Sequence, residues 1–122
     1  MKKKIKIIKN KYGNIVKLFQ NKNAEKIKEI YISEILYKKT KGWNFHKRST
    51  STLLVIEGKV KFNITKDFKK IKKITVDEKN YYFLVIKPNH WFSFEGMLKK
   101  NRIINFSNIK YDKSETKKKP IE

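Results

Sequence analysis

The chain has 122 residues and no cysteine, which makes it one domain able to bury about two-thirds of its unfolded surface and excludes disulfide staples, thiolate chemistry and cysteine-ligated zinc. Its 32 Lys and Arg against 11 Asp and Glu leave a formal charge of +21, a field that draws in anionic partners. Arginine occurs only as Arg48 and Arg102, and the lysines mostly alternate with Ile, Val and Phe as solvated strand faces do, so a small anionic ligand is expected and nucleic acid, which favours arginine forks, is not.

The first residues, MKKKIKIIKNK, are basic, but their apolar run is too short for a signal peptide. No stretch approaches the roughly 18 apolar residues of a membrane span. A soluble cytoplasmic protein is the expectation. Two apolar clusters follow, Ile5 to Ile8 and Ile15 to Phe19, with Tyr12-Gly13-Asn14 between them as a hairpin turn. Residues 21–26 read as a polar loop. Residues 27–37 fit a helix face or a strand, and Tyr31 and Ile32 tip the reading to strand, with room for a short helical interruption.

The stretch from Lys41 to Thr65 organises the rest. Leu54 and Ile56 alternate with Leu53 and Val55, and Val60, Phe62 and Ile64 alternate with Lys59, Lys61, Asn63 and Thr65. A period of two marks strands with one buried face. Glu57-Gly58 reads as the two-residue reversal of a hairpin. A further strand ends near Val76, Asp77 to Asn80 is a turn, and Tyr81 to Ile86 is a buried strand closed by Pro88. Residues 90–94 alternate again, and 102–106 form the last strand. The domain is expected to end near 110, leaving 111–122 as a polar C-terminal arm or a disordered tail. Eight to ten short strands with no repeat or linker predict a single all-β domain. Strand spacing alone leaves jelly roll, immunoglobulin-like sandwich and OB barrel open. Exposed edges predict a dimer.

The chemistry centres on His46. On a regular strand Asn44, His46 and Arg48 share one face, and Trp43, Phe45 and Lys47 the other. A neutral imidazole can take a proton from an acidic carbon, with Lys41, Lys47 or Arg48 holding a phosphate or an enolate. The competing reading is a structural histidine in a sheet. His90 and Trp91 begin an aromatic run that could stack a base or sugar, although Phe92 and Phe94 read as core. The two histidines with Glu57 or Glu95 make a poor metal set, so no metal and no cofactor are expected. Nucleotide-binding glycine motifs, HExxH and GxSxG are absent from the sequence. Tyr81, Tyr82 and Tyr111 are candidate acids. Asp112 and Glu115 read as poor catalysts, because nothing local predicts their burial.

Three stretches, KGWNFHKRSTSTLLVIEGKVKF, LVIKPNHWFSFEG and NRIINFSNIKYDKSE, carry a resemblance. The chain resembles the RmlC-like cupin enzymes, the group of dTDP-4-dehydrorhamnose 3,5-epimerase and the WxcM/FdtA-like dTDP-sugar 3,4-ketoisomerases. Residues 41–47 are similar to the ketoisomerase pattern RGxHAHK. The resemblance implies a double-stranded β-helix (jelly roll), a homodimer, and a nucleotide-activated 4-keto sugar bound inside the barrel for surface polysaccharide synthesis. It implies neither metal nor nicotinamide. Lys41 then stands where the family has a phosphate-contacting arginine, Asn44 where it has a histidine base, and His46 where the ketoisomerases keep a second histidine. Trp91 would line the pocket; Arg48 and His90 are expected as further ligand contacts from their own chemistry and not from the resemblance. Two departures stand out. Asn44 does not titrate, and the strand around Asn105 lacks the epimerase tyrosine. His46 acting alone, in a one-base reaction or an isomerisation, therefore stands beside two alternatives: a noncatalytic cupin that binds a sugar nucleotide or a partner protein, and, as the less favoured reading of the charge, a basic nucleic-acid-binding β-barrel.

Overall fold

A computed structural model describes residues 2–19 and 26–121. Its strands are β1 (Lys2–Lys4), β2 (Lys6–Ile8), β3 (Ile15–Lys17), β4 (Glu29–Glu34), β5 (Thr40–His46), β6 (Ser51–Glu57), β7 (Lys59–Thr65), β8 (Lys72–Asp77), β9 (Tyr82–Ile86), β10 (Trp91–Gly96), β11 (Arg102–Ser107) and β12 (Thr116–Lys118). They build two five-stranded sheets, β1-β9-β6-β11-β4 and β12-β5-β10-β7-β8, with β2 and β3 as a separate hairpin. Counting β4 to β11 as one to eight, the sheets run 1-8-3-6 and 2-7-4-5. That order is two Greek keys folded over one another, the jelly roll. The loop expected over 21–26 lies outside the described residues except for Lys26. Among the described residues no helix is long and apolar enough to cross a membrane.

Period-two patterning places the core. Val60, Phe62 and Ile64 point between the sheets and meet Leu53, Val55, Leu84, Ile86, Phe92, Phe94 and Ile103 there. A second cluster covers the outer face of the first sheet, where Leu54, Phe83 and Phe106 pack under Val16, Leu18 and Phe19. Strand β6 is thus apolar on both faces, which is why Leu53, Leu54 and Val55 run on without alternation.

Two expectations change. The segments flanking Gly58 do not pair as a hairpin: β6 bonds to β9 and β11, β7 to β10 and β8. Gly58 is a corner at which the chain leaves one sheet for the other. Its φ of 80° suits glycine, and a Cβ there would collide with the Lys100 carbonyl and Asn101. The C-terminal residues are not a free arm. A 3-10 turn over Lys113–Glu115 leads into β12, which pairs with β5 as Thr116↔His46, Lys117↔Phe45 and Lys118↔Asn44. The free edge of β5 supplies backbone partners that composition does not reveal.

Candidate active site

A cavity of about 300 Å³ opens between the sheets, with Lys41, Asn44 and His46 of β5 on one side. Strict alternation would not put Lys41 and Asn44 on one face. The register of β5 against β10 slips by one residue, because Asn44 faces Phe92 and Gly42 faces Ser93. Trp43 is the extra residue of this bulge, and the bulge turns both side chains inward. Only glycine fits beside it, since a Cβ on Gly42 would lie 2.8 Å from the Phe92 carbonyl oxygen.

His46 lies over Phe92 with ring centroids 5.7 Å apart. Its Nδ1 meets Glu115 Oε1 at 2.7 Å. A carboxylate accepts only, so Nδ1–H is the donor, and in the neutral ring Nε2 keeps the lone pair. The other oxygen, Oε2, accepts the backbone N–H of Arg48 at 3.0 Å and of Ser49 at 3.1 Å. Burial pushes the Glu115 carboxyl up, but these N–H groups and the His46 ring outweigh it and hold it below its ordinary value. Asp112 caps the turn that carries Glu115, accepting from Ser114 N at 2.9 Å and Ser114 Oγ at 2.7 Å. Those bonds, with Arg48 alongside, lower its carboxyl too.

The opposite wall comes from the first sheet. Tyr31 and Ser33 of β4 and Ile103 and Asn105 of β11 face the same cavity. Asn105 Nδ2 donates to Tyr31 Oη at 2.8 Å, and Lys41 Nζ donates to Ser33 Oγ at 3.0 Å. Burial raises the Tyr31 phenol, against a smaller lowering by Asn105. Tyr111, Thr116 and Lys118 complete the lining from the C-terminal segment. The arrangement offers one proton-accepting nitrogen, two phenols, two amides and two ammonium groups around a space for a small ligand.

Of the residues expected at the site, Lys41, Asn44 and His46 are brought together. Arg48 lies past the end of β5 and pairs with Asp112 at 3.1 Å on the surface. His90 sits in a separate hollow with Ile64 and Val85, its Nδ1 near the carbonyls of Lys87 and Pro88. Trp91 faces outward against Phe45 and Phe68. The alternation of β10 sends Phe92 and Phe94 inward, so they line the cavity and Trp91 does not. Among the described residues no three His, Asp or Glu side chains gather as a metal site. Sequence reasoning set Glu115 aside as a poor catalyst and missed Tyr31, Asn105 and Lys118. Strand β4 did carry a signal: Glu29, Tyr31 and Ser33 alternate with isoleucines that prove to be outside, Ile30 at 60% and Ile32 at 55% exposure. A strand whose polar face points inward lines a cavity rather than a core.

Solved structures share this fold. A dTDP sugar isomerase from Desulfovibrio desulfuricans G20 superposes with a TM-score of 0.85 at 20% identity, over 98% of this chain and 83% of that one. A variant of the 3,4-ketoisomerase QdtA from Thermoanaerobacterium thermosaccharolyticum, in complex with TDP-4-keto-6-deoxyglucose, gives 0.84 at 23% identity over 95% and 84%. The dTDP-4-dehydrorhamnose 3,5-epimerase of Bacillus anthracis, with TDP and pyrophosphate bound, gives 0.80 at 14% identity over 94% and 75%. Among curated proteins none matches the chain by sequence. Residues 2–119 match the family model FdtA, described as WxcM-like, C-terminal, and the chain belongs to that family.

Proposed function

We propose that the protein moves a proton at the carbon beside the ketone of a nucleotide-activated keto sugar, isomerising or epimerising it. The observation that carries this is His46 on the wall of the cavity, held from behind by Glu115 at 2.7 Å. His46 Nε2 takes the C–H proton and the electron pair moves onto the ketone oxygen as an enolate. Nδ1–H stays on Glu115, which stabilises the imidazolium that forms. Lys41 and Lys118 offer two cations to the diphosphate. Asn44 contributes hydrogen bonds only, because its amide does not titrate. Solved structures of the same fold hold TDP and TDP-4-keto-6-deoxyglucose, which supports this ligand class. A homodimer acting on a cytoplasmic nucleotide sugar for surface polysaccharide is part of the same proposal.

The test is TDP-4-keto-6-deoxyglucose in heavy water. The protein should incorporate deuterium next to the ketone, and His46→Asn should slow this by at least about 100-fold. Equal incorporation by the variant removes His46 as the base. Asn44, at the position of a family base, favours a second reading, a cupin that binds without turnover. TDP binding with no exchange in the unaltered protein would select it.

A further inference from the structure

The β2–β3 hairpin belongs to neither large sheet. Its cross-strand pairs are Lys6↔Lys17, Ile7↔Val16 and Ile8↔Ile15, so Ile7 and Val16 share one face while Ile8 and Ile15 share the other. Val16 packs on the outer face of the first sheet, which turns Ile8 and Ile15 away from the body. They are 38% and 51% exposed, and Tyr12, in the turn between their strands, is 88% exposed. The turn is not slack. Tyr12 N–H donates to Asn10 Oδ1 at 2.9 Å, Asn10 N–H to Asn14 Oδ1 at 3.1 Å and Gly13 N–H to the Asn10 carbonyl at 3.0 Å. Asn side chains bonded to the backbone in this way fix a turn, so two isoleucines and an aromatic ring are held out together in water. Single exposed apolar residues are ordinary, but a joined apolar tip on an ordered hairpin marks a contact surface.

Charge says what that surface fits. Residues 2–19 hold seven lysines and no acid. Lys9 and Lys11 flank the turn, Lys6 and Lys17 face one another at the base of the hairpin, and Lys11 Nζ lies 5.0 Å from the centre of the Tyr12 ring. A second copy of this chain would set these lysines against themselves, and like charges opposite one another repel. Nucleic acid offers phosphates but no medium for two isoleucines. An anionic bilayer offers both: headgroups that attract lysines and, just beneath them, the interfacial zone in which Ile and Tyr side chains leave water.

We propose that the hairpin docks the protein on an anionic membrane surface, with Ile8, Tyr12 and Ile15 entering the headgroup region and the lysines around them on lipid phosphates. A chain with no membrane span can still lie on a membrane. No hairpin residue lines the cavity of His46, so this inference stands apart from the keto-sugar reading and neither needs the other.

The experiment is co-sedimentation with vesicles of phosphatidylcholine containing about 30% phosphatidylglycerol, against phosphatidylcholine alone. Net charge by itself draws the protein to an anionic surface, so the decisive variant removes apolar surface and keeps every charge: Ile8→Ser with Tyr12→Ser and Ile15→Ser. It should weaken partitioning by at least about tenfold. Ile71→Ser with Leu98→Ser, two exposed side chains elsewhere, should leave it within about twofold. An undiminished triple variant, or an equal loss in the control, overturns the inference. Proton exchange with the keto sugar, present or absent, should be the same in every variant, so failure of the catalytic reading leaves this test standing. The chain has no cysteine, so a single introduced thiol reports depth even where the triple variant does not fold. Tyr12→Cys carrying an environment-sensitive fluorophore should shift to the blue on the anionic vesicles, and Lys99→Cys with the same label should not. A label at position 12 that stays unshifted while the protein sediments shows adhesion by charge alone and overturns the inference. Sedimentation velocity without lipid also overturns it if the triple serine variant turns an oligomer into a monomer, because a second copy then covers the tip.

Discussion

Glu115 decides what His46 can do. Its two oxygens serve the ring and the two N–H groups that follow β5, so it fixes both the tautomer of the imidazole and the path of the chain beyond it. Glu115→Gln is expected to slow solvent exchange by about 100-fold, with TDP affinity unchanged. The same change should alter acid stability. The folded carboxyl lies below its ordinary value, so between that lowered value and an unfolded value near 4.3 only the unfolded chain holds the proton. Stability therefore rises with pH across that window, is complete above it, and is lost as pH falls through the folded value. Melting curves from about pH 2 to 6 should show this rise in the parent protein and a shallower one in the glutamine variant. His46, Asn44 and Lys41 were legible in the sequence because a histidine beside a strand-forming run invites attention. Glu115 was not. It sits in a charged stretch, 69 residues from the ring it holds, and no local pattern encodes its burial.

At the level of strands, alternation reported the faces of β7 and β10 correctly, and partners poorly. The buried positions of β7 stood where period two put them, yet the same pattern suits a hairpin and a corner between sheets equally well. Gly58 carries the difference. Gly58→Ala should cost about 1–3 kcal/mol from its positive φ alone, with the clash against Lys100 adding to it, and a urea midpoint is the measure. An unchanged midpoint would contradict the corner. The bulge at Trp43 was likewise unreadable, since an extra residue shows only against the partner strand. Strand β12 was missed for a related reason: a short lysine-rich segment, TKK, has no strand signature until the edge of β5 is there to receive it.

For the molecule as a whole, the charge of +21 now has a place to act. Lys41 and Lys118 stand at the cavity within a positive field contributed by the entire surface. Salt screens such a field beyond roughly 8–10 Å. TDP affinity is expected to fall about tenfold between about 50 and 500 mM sodium chloride, with the same slope in His46→Asn, whose ring is not part of the attraction. A flat salt response would show that the surface lysines are bystanders to binding.

The jelly-roll order has one more consequence. Its first strand, β4, lies beside its last, β11, and the pairs that define the site, Tyr31 with Asn105 and His46 with Glu115, span 74 and 69 residues. During synthesis, His46 leaves the ribosome long before the carboxylate that holds it. A chain translated only as far as β11 lacks part of the wall of this pocket, and ligand capture waits until residues up to Lys118 have cleared the exit tunnel.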